Sequence, residues 1–576
     1  MNRKMNFSTF YRTLIRGIIL ALATGFTIPA QSQETDAQKA QRMAWFQDAK
    51  LGIFIHYGIY AVNGIDESWS FFNGYTSHKT YMQQLNGFTA TKYDAQAWAK
   101  LFKEAGAKYA VLTSKHHDGV ALWKGNFTHW NTIEHTPAKK DLIAPFMKAI
   151  RAQGMKTGLY FSLIDWSHPD YPGFLRDSVR YTNDPQRWER FTNFYFTQMT
   201  ELSNRYNPDL YWFDGDWEHT AEEWKAKELR TMMTSVNQNI IINSRLGHYG
   251  DYATPEQGVP VVRPANPYWE LCLTMNDSWG YQPSDNNYKT PFQLIRNFVD
   301  CIANGGNLLL DVGPRADGTI PEEQVAILKA FARWTSKHAE AIYGTRAGLH
   351  PGHTNNPTAF SKDHKTLYLY LDHQPSQAVT IAGVKGEIKN IRMVGEDVKI
   401  KYNTNKNGLI VIEQPAKGYD PMVSVLAIEF KDTVAITNQK LNGNEVLESL
   451  MADAQWKEKH EHDLGQSLPG ISSQHYAGWS RLSPDKSILY LMVDGKPNGP
   501  LMLKGLKNKI NRIWVVNKAT RLQHQIIGKL YWSSVPGIAY INLPNYALDN
   551  QMTVIAVLLD GPIDLYKEEG QVISSN

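Results

Sequence analysis

Pro208-Asp209-Leu210-Tyr211-Trp212-Phe213-Asp214-Gly215-Asp216-Trp217-Glu218 decides the fold of this chain. A helix-breaking proline comes first, an apolar run follows, and three carboxylates then alternate with Gly and Trp. Lying between two helical patterns, such a stretch predicts a buried parallel strand with acids at its carboxyl end. In a barrel of alternating strands and helices that end faces the active site, so Asp214 is the candidate centre of the chemistry. The competing reading is that Asp214 and Asp216 only cap the next helix.

Outward from this strand, short apolar runs recur at residues 51–58, 109–114, 157–163, 240–244, 269–275 and 307–312. Amphipathic segments separate them at 94–106, 141–154, 184–206, 221–236, 291–304 and 321–338. In the first of these Ala97, Trp98, Leu101, Phe102 and Ala105 stand at helical spacing before Gly106, and Asp184-Pro185 has the form of a helix start. Repeated units of this kind build a doubly wound sheet or a closed barrel. No Gly-rich phosphate loop follows the first run, which favours a (β/α)8-like barrel.

The run ends share a chemistry. They carry His56, His116 and His117, Tyr160, Asp214, Arg245, and the Asn276-to-Tyr281 stretch with Trp279. In a barrel all of these reach one mouth, a set suited to gripping hydroxyls while an aromatic face stacks on a sugar ring. Taken singly, each His is more often structural, and Arg245 has the alternative of pairing with a structural acid. The His116-His117 pair raises a metal site, but neighbours on a strand point to opposite faces and no ligand spacing supports one. Glycoside hydrolysis fits better, since it needs an ionised carboxylate at the anomeric carbon and a protonated one at the leaving oxygen. Asp214 suits the first role. Glu256 and Glu270 are the two candidates for the second, Glu256 being favoured by its loop position.

Phe54-Ile55-His56-Tyr57-Gly58, Lys115-His116-His117-Asp118-Gly119, Trp212-Phe213-Asp214-Gly215, Thr274 to Tyr281 and Gly306 to Gly318 together resemble the α-L-fucosidases of glycoside hydrolase family 29. The resemblance covers roughly residues 40 to 345. It implies a barrel of sometimes irregular strand count and a retaining double displacement on a fucosylated glycan, with neither metal nor organic cofactor. It further implies Asp214 as nucleophile, His56, His116, His117, Tyr160 and Arg245 on the fucose hydroxyls and ring, and Trp279 near the sugar's methyl group. Glu67 and Trp69 are candidate contacts too, although Ser68 separates them where the family often has an adjacent Glu-Trp pair. The general acid rides on a variable loop in the family, and Asp311 replaces a usual Asn. The readings that compete with a fucosidase are a glycosidase for a related sugar such as an α-L-galactoside, and a sugar-binding protein without turnover.

The remainder of the chain frames this core. Residues 1–32 carry Arg12 and Arg16, an apolar run and a small-residue exit, which read as a cleaved signal peptide, so a periplasmic or secreted protein is expected. With 60 basic and 56 acidic residues, neither nucleic acid nor a membrane surface is an expected partner. Cys272 and Cys301 are too few for a disulfide framework, and two buried thiols are the simpler reading. Beyond residue 345 the pattern becomes alternating strands. Residues 361–372 align with 483–494, and 388–394 with 510–516 at the same offset, so two tandem β-sandwiches are expected. The expected division is a catalytic domain at 33–345, sandwiches at 346–435 and 469–576, and a charged, partly helical linker at 436–468. Structural support of the barrel is the expected role of both sandwiches, with glycan binding by the second as the alternative.

Overall fold

The computed structural model describes residues 34–126, 128–172, 184–530 and 533–567. The signal-peptide reading of residues 1–32 lies outside them. The described residues from Trp45 onward form one compact unit, which holds everything discussed below.

The barrel staves are β1 (Leu51–Ile55), β2 (Tyr109–Lys115), β3 (Lys156–Ser162), β4 (Leu210–Asp214), β5 (Ile241–Ile242), β6 (Glu270–Leu273) and β7 (Asn307–Val312). They pair in parallel in the order β5-β4-β3-β2-β1-β7-β6. Residues 252–256 supply the missing stave between β5 and β6, through single parallel bridges Asn243↔Tyr252, Ala253↔Trp269 and Glu256↔Cys272. With them the ring closes, giving a (β/α)8-like barrel with one irregular position. The middles of the staves are mostly apolar because both faces are covered; Leu308, Leu309 and Leu310 are fully buried, each contributing about 2 kcal/mol.

The outer helices are α1 (Ala95–Glu104), α2 (Ile143–Ala152), α3 (Pro185–Tyr206), α4 (Ala226–Val236), α5 (Pro291–Ala303) and α6 (Glu322–Lys337). Asp184 caps α3, accepting from the amides of Gln186 and Arg187 with Pro185 in the first turn, as its sequence predicts. Several elements are shorter than their periodicity suggests. The run at 240–244 keeps only Ile241 and Ile242 as strand, and α4 begins at Ala226, after a turn through Lys225 with φ +48°. Cys272 and Cys301 are free and buried. Among the described residues no helix is long and apolar enough to cross a membrane.

The C-terminal repeat is visible strand by strand. One five-stranded sheet runs Arg346–Ala347, Thr358–Phe360, Thr366–Leu371, Ser424–Phe430, Ile388–Met393; the other runs Leu468–Pro469, Trp479–Leu482, Ile488–Asp494, Met552–Leu559, Ile510–Val515. Each has its register shift at the equivalent place, between Ile388 and Asn390 and between Ile510 and Arg512. A three-stranded sheet faces each of them, completing two sandwiches.

The outer faces of the two five-stranded sheets are covered differently. Tyr368, Tyr370, Val425 and Ala427 of the first belong to the barrel's own hydrophobic cluster. Trp334 of α6 donates to the Val423 carbonyl at 2.8 Å across that contact. On the second sheet, Tyr490, Met492, Val554 and Ala556 pack instead on Leu450, Trp456 and Leu464, from the helices Gly443–Met451 and Ala454–Leu464. The second sandwich also reaches the barrel, placing Met502, Ile538 and Tyr540 in its cluster and pairing Lys504 with Asp300 of α5 at 3.0 Å.

Candidate active site

Asp214 ends β4 at the carboxyl face of the barrel, and Gly215 turns the chain away from it at φ +87°. A Cβ on Gly215 would stand 2.7 Å from Ile164, so both the turn and the packing demand glycine. Asp214 Oδ1 accepts from Arg245 Nη1 at 2.9 Å, and its Oδ2 accepts from the Tyr160 hydroxyl at 3.0 Å. The second guanidinium arm, Arg245 Nη2, donates to Glu256 Oε2 at 2.7 Å. Arg245 Nε turns to Thr254 Oγ1 at 3.2 Å, and the guanidinium lies 4.4 Å from the Trp212 ring centroid. One planar fork thus holds the two carboxylates at a fixed mutual placement.

The histidines line the same mouth with their Nδ1 atoms engaged. His56 Nδ1 is 2.7 Å from Asp311 Oδ1, His116 Nδ1 is 2.7 Å from Ser68 Oγ, and His117 Nδ1 is 2.6 Å from Ser162 Oγ. His116 and His117 therefore take different partners on different elements. His117 Nε2 is buried without a hydrogen-bond partner, 3.6 Å from Asp214 Oδ2, and is available to a ligand hydroxyl. Burial pushes all three rings well below the usual imidazole range, so they are neutral donor-acceptors. Asp311, buried beside His56, is pushed well up by the same loss of solvent.

Glu67 is buried, accepts from the Gly280 amide, and is pushed up to about 7 by burial. It fastens the loop that presents Trp279, whose ring lies 5.0 Å from that of His56. Trp69 meets His117 edge-on at 5.4 Å and stacks with Trp217 at 6.3 Å. Trp217 is 46% exposed and extends the aromatic wall outward. It stands in the decisive stretch of sequence, yet only its exposure separates it from the many core tryptophans. The contacts of Ser68 with His116 and of Ser162 with His117 also escape a reading of the sequence, because the partners are distant along the chain.

The two acid candidates separate cleanly. Glu256 is on the irregular stave beside Arg245, its side chain 13% exposed. Burial raises its carboxyl pKa above the ordinary value, and Arg245 offsets part of that rise. Glu270 lies fully buried on β6, its carboxylate taken by the Trp212 indole at 3.0 Å and by the Tyr109 hydroxyl. Its pKa is pushed up from 4.5 to about 7 by burial, against those two hydrogen bonds. The stability from this retained proton is full below pH 4.5 and is lost as pH rises through about 7. Glu270→Gln, with no proton to lose, should therefore match the wild type in thermal unfolding near about pH 5 and exceed it near about pH 8, by about 3 kcal/mol. A cavity of about 500 Å³ lies elsewhere, among Arg296, Asp372, Trp479 and the two sandwiches; its Arg296 and Asp372 pair with each other at 2.6 Å.

A family model described as alpha-L-fucosidase matches residues 23–340, more than half of the chain. An alpha-L-fucosidase of Dictyostelium discoideum is 30% identical over 416 residues, 63% of this chain and 87% of that protein. The tissue alpha-L-fucosidase of Bos taurus is 30% identical over 432 residues, 69% of this chain and 89% of that protein. Alpha-L-fucosidase isoenzyme 1 from Paenibacillus thiaminolyticus superposes with a TM-score of 0.64 at 33% identity, over 68% of this chain and 100% of its own. A GH29 alpha-L-fucosidase from Bacteroides thetaiotaomicron, solved as a trapped covalent intermediate with 2-fluoro-fucosyl fluoride, superposes with a TM-score of 0.61 at 26% identity, over 68% and 96%. Both the sequence relatives and the barrel thus lead to one assignment: the chain belongs to the alpha-L-fucosidases of glycoside hydrolase family 29.

Proposed function

We propose that this glycoside hydrolase is an exported, retaining exo-α-L-fucosidase that releases terminal fucose from glycans through a covalent glycosyl-enzyme. The observation that carries the mechanism is the single guanidinium of Arg245 bound to both Asp214 and Glu256. Retention wants its two carboxyl groups about 5 Å apart, and a pair shared by one fork suits that spacing. Asp214 attacks the anomeric carbon as the C–O bond to the leaving group breaks. Glu256, with its raised pKa, gives its proton to the departing oxygen and then takes one from the water that attacks the intermediate. His56, His116, His117 and Tyr160 bind the sugar hydroxyls, Arg245 orients both carboxylates, Trp279 and Trp69 pack on apolar faces, and Glu67 holds the Trp279 loop. A fucosylated glycan is the partner, with no part for nucleic acid or a membrane surface. The division of the chain at residues 345, 435 and 468 belongs to the same proposal.

Glu256→Ala tests the acid/base assignment. It should slow hydrolysis of unactivated fucosides by about 10²–10⁴-fold. With 4-nitrophenyl α-L-fucoside it should accumulate intermediate that azide intercepts, releasing α-L-fucosyl azide with the configuration kept. Rescue by azide in Glu270→Ala but not in Glu256→Ala would move the acid to Glu270. Side by side, the wild type should prefer the nitrophenyl α-L-fucoside to the α-L-galactoside. A reversed preference would make the galactoside the natural class, and sugar binding without turnover of natural oligosaccharides would leave only a binding protein.

A further inference from the structure

The residues around Glu256 are held from two sides. On the barrel side the Gln257 amide donates to the Cys272 carbonyl at 2.9 Å, and Gln257 Oε1 accepts from Thr274 Oγ1 at 3.1 Å. Gln257 has φ +58°, and the Gly258 amide folds back onto the Glu256 carbonyl at 2.7 Å, so a tight turn follows the acid at once. The other side is closed by the second sandwich. Its strand His524–Ile527 pairs with Ile538–Ile541 and runs into Gly528, at φ +79°. A Cβ on Gly528 would stand 2.7 Å from the Gln257 carbonyl oxygen and 3.8 Å from the Gly258 Cα. Ile527 packs on the barrel cluster beside this contact, and Gln525 Nε2 donates to Asn287 Oδ1 at 3.4 Å.

We propose that the second β-sandwich is a positioning element of the reaction, its backbone at Gly528 bracing the Gln257–Gly258 turn and so fixing Glu256 against the leaving oxygen. The proposal rests on Glu256 as the acid/base. The stave that carries Glu256 is hydrogen-bonded along its length to β6 alone, with the single bridge Asn243↔Tyr252 toward β5, so the Gln257–Gly258 turn takes its second hold from the sandwich. A misplacement of about 1 Å in a proton donor costs about 10²-fold in rate. That cost depends on the substrate. An alkoxide cannot leave without the Glu256 proton as the anomeric C–O bond breaks, whereas a nitrophenolate leaves as the anion while Asp214 forms its bond.

The test uses the full chain with Gly528→Ala and Gly528→Val, reading kcat/KM, which reports the first irreversible step, on an alkyl α-L-fucoside and on 4-nitrophenyl α-L-fucoside. The expected result is a loss of about tenfold or more on the alkyl substrate with less than about threefold on the nitrophenyl one. Ile526→Ser, at a half-exposed side chain of the same strand, should change neither. Equal losses on both substrates, or no loss on either, in a protein that unfolds at the wild-type temperature would overturn the proposal. If both Gly528 variants fail to fold, Ile527→Ala removes a contact without adding bulk and is held to the same selectivity. Glu256→Ala, run in parallel, separates the two failures. If it shows the leaving-group selectivity and the Gly528 variants do not, the brace is wrong and the acid stands; if it lacks the selectivity, both readings fall.

Discussion

Asp214→Gly should lower kcat on 4-nitrophenyl α-L-fucoside on the order of 10⁴-fold, and added azide should restore much of the loss while releasing β-L-fucosyl azide. The reasoning is geometric. Asp214 is the carboxylate held by Arg245 at 2.9 Å and by Tyr160 at 3.0 Å, facing the cluster of neutral imidazoles. Removing its side chain opens the attacking face to a small anion, which inverts the anomeric carbon once where the proposed double displacement would invert it twice. The variant should stay folded, because Arg245 keeps its partner Glu256 at 2.7 Å. The opposite configurations of the two azide products, β from Asp214→Gly and α from Glu256→Ala, are read directly by proton NMR. An inactive Asp214→Gly that folds yet gives no fucosyl azide would remove Asp214 from the nucleophile's role.

Arg245→Met should be the more damaging change to the protein as a whole. It leaves Asp214 and Glu256 as two poorly solvated carboxylates without their shared cation, a situation that costs about 3–5 kcal/mol. Activity should fall about 10²–10³-fold, since neither carboxylate keeps its placement. The sign of the pH effect is also defined. Arg245 holds Glu256 below the value that burial alone would set, so its loss moves the Glu256 pKa further up. An acid works only while protonated, so the alkaline limb of the kcat/KM profile should shift to higher pH in the residual activity. Thermal unfolding together with the pH profile checks both parts; an unmoved alkaline limb would mean that Glu256 does not set it.

What sequence makes legible here follows from how far each interaction reaches along the chain. The regular staves announce themselves because parallel strands covered on both faces must be apolar, and their polar ends then stand out, as at Asp214 and His116. The eighth stave does not. Tyr252-Ala253-Thr254-Pro255-Glu256 has no periodicity, Pro255 has no amide to donate, and three isolated bridges need no pattern, so it reads as a loop. Glu256 can be named from its surroundings but not seated. The pairing of His56 with Asp311, 255 positions apart, is invisible for the same reason, and it gives a definite place to the departure from Asn at Asp311. The helices at 443–464 show the complementary gap. Their charged composition suggests a linker, whereas Leu450, Trp456 and Leu464 are a narrow apolar edge that cover one sheet.

That substitution of one cover for another decides where the second sandwich can sit. The first sandwich borrows the barrel to hide its aromatic face, so the equivalent face of the second, seated elsewhere, would be bare and prone to stick to other molecules without a cover of its own. The helical pair at Gly443–Leu464 removes the liability within the second sandwich itself. With its own roof in place the second sandwich has no need of the first one's seat, and it docks by its thinner sheet against the flank of the barrel that carries Glu256.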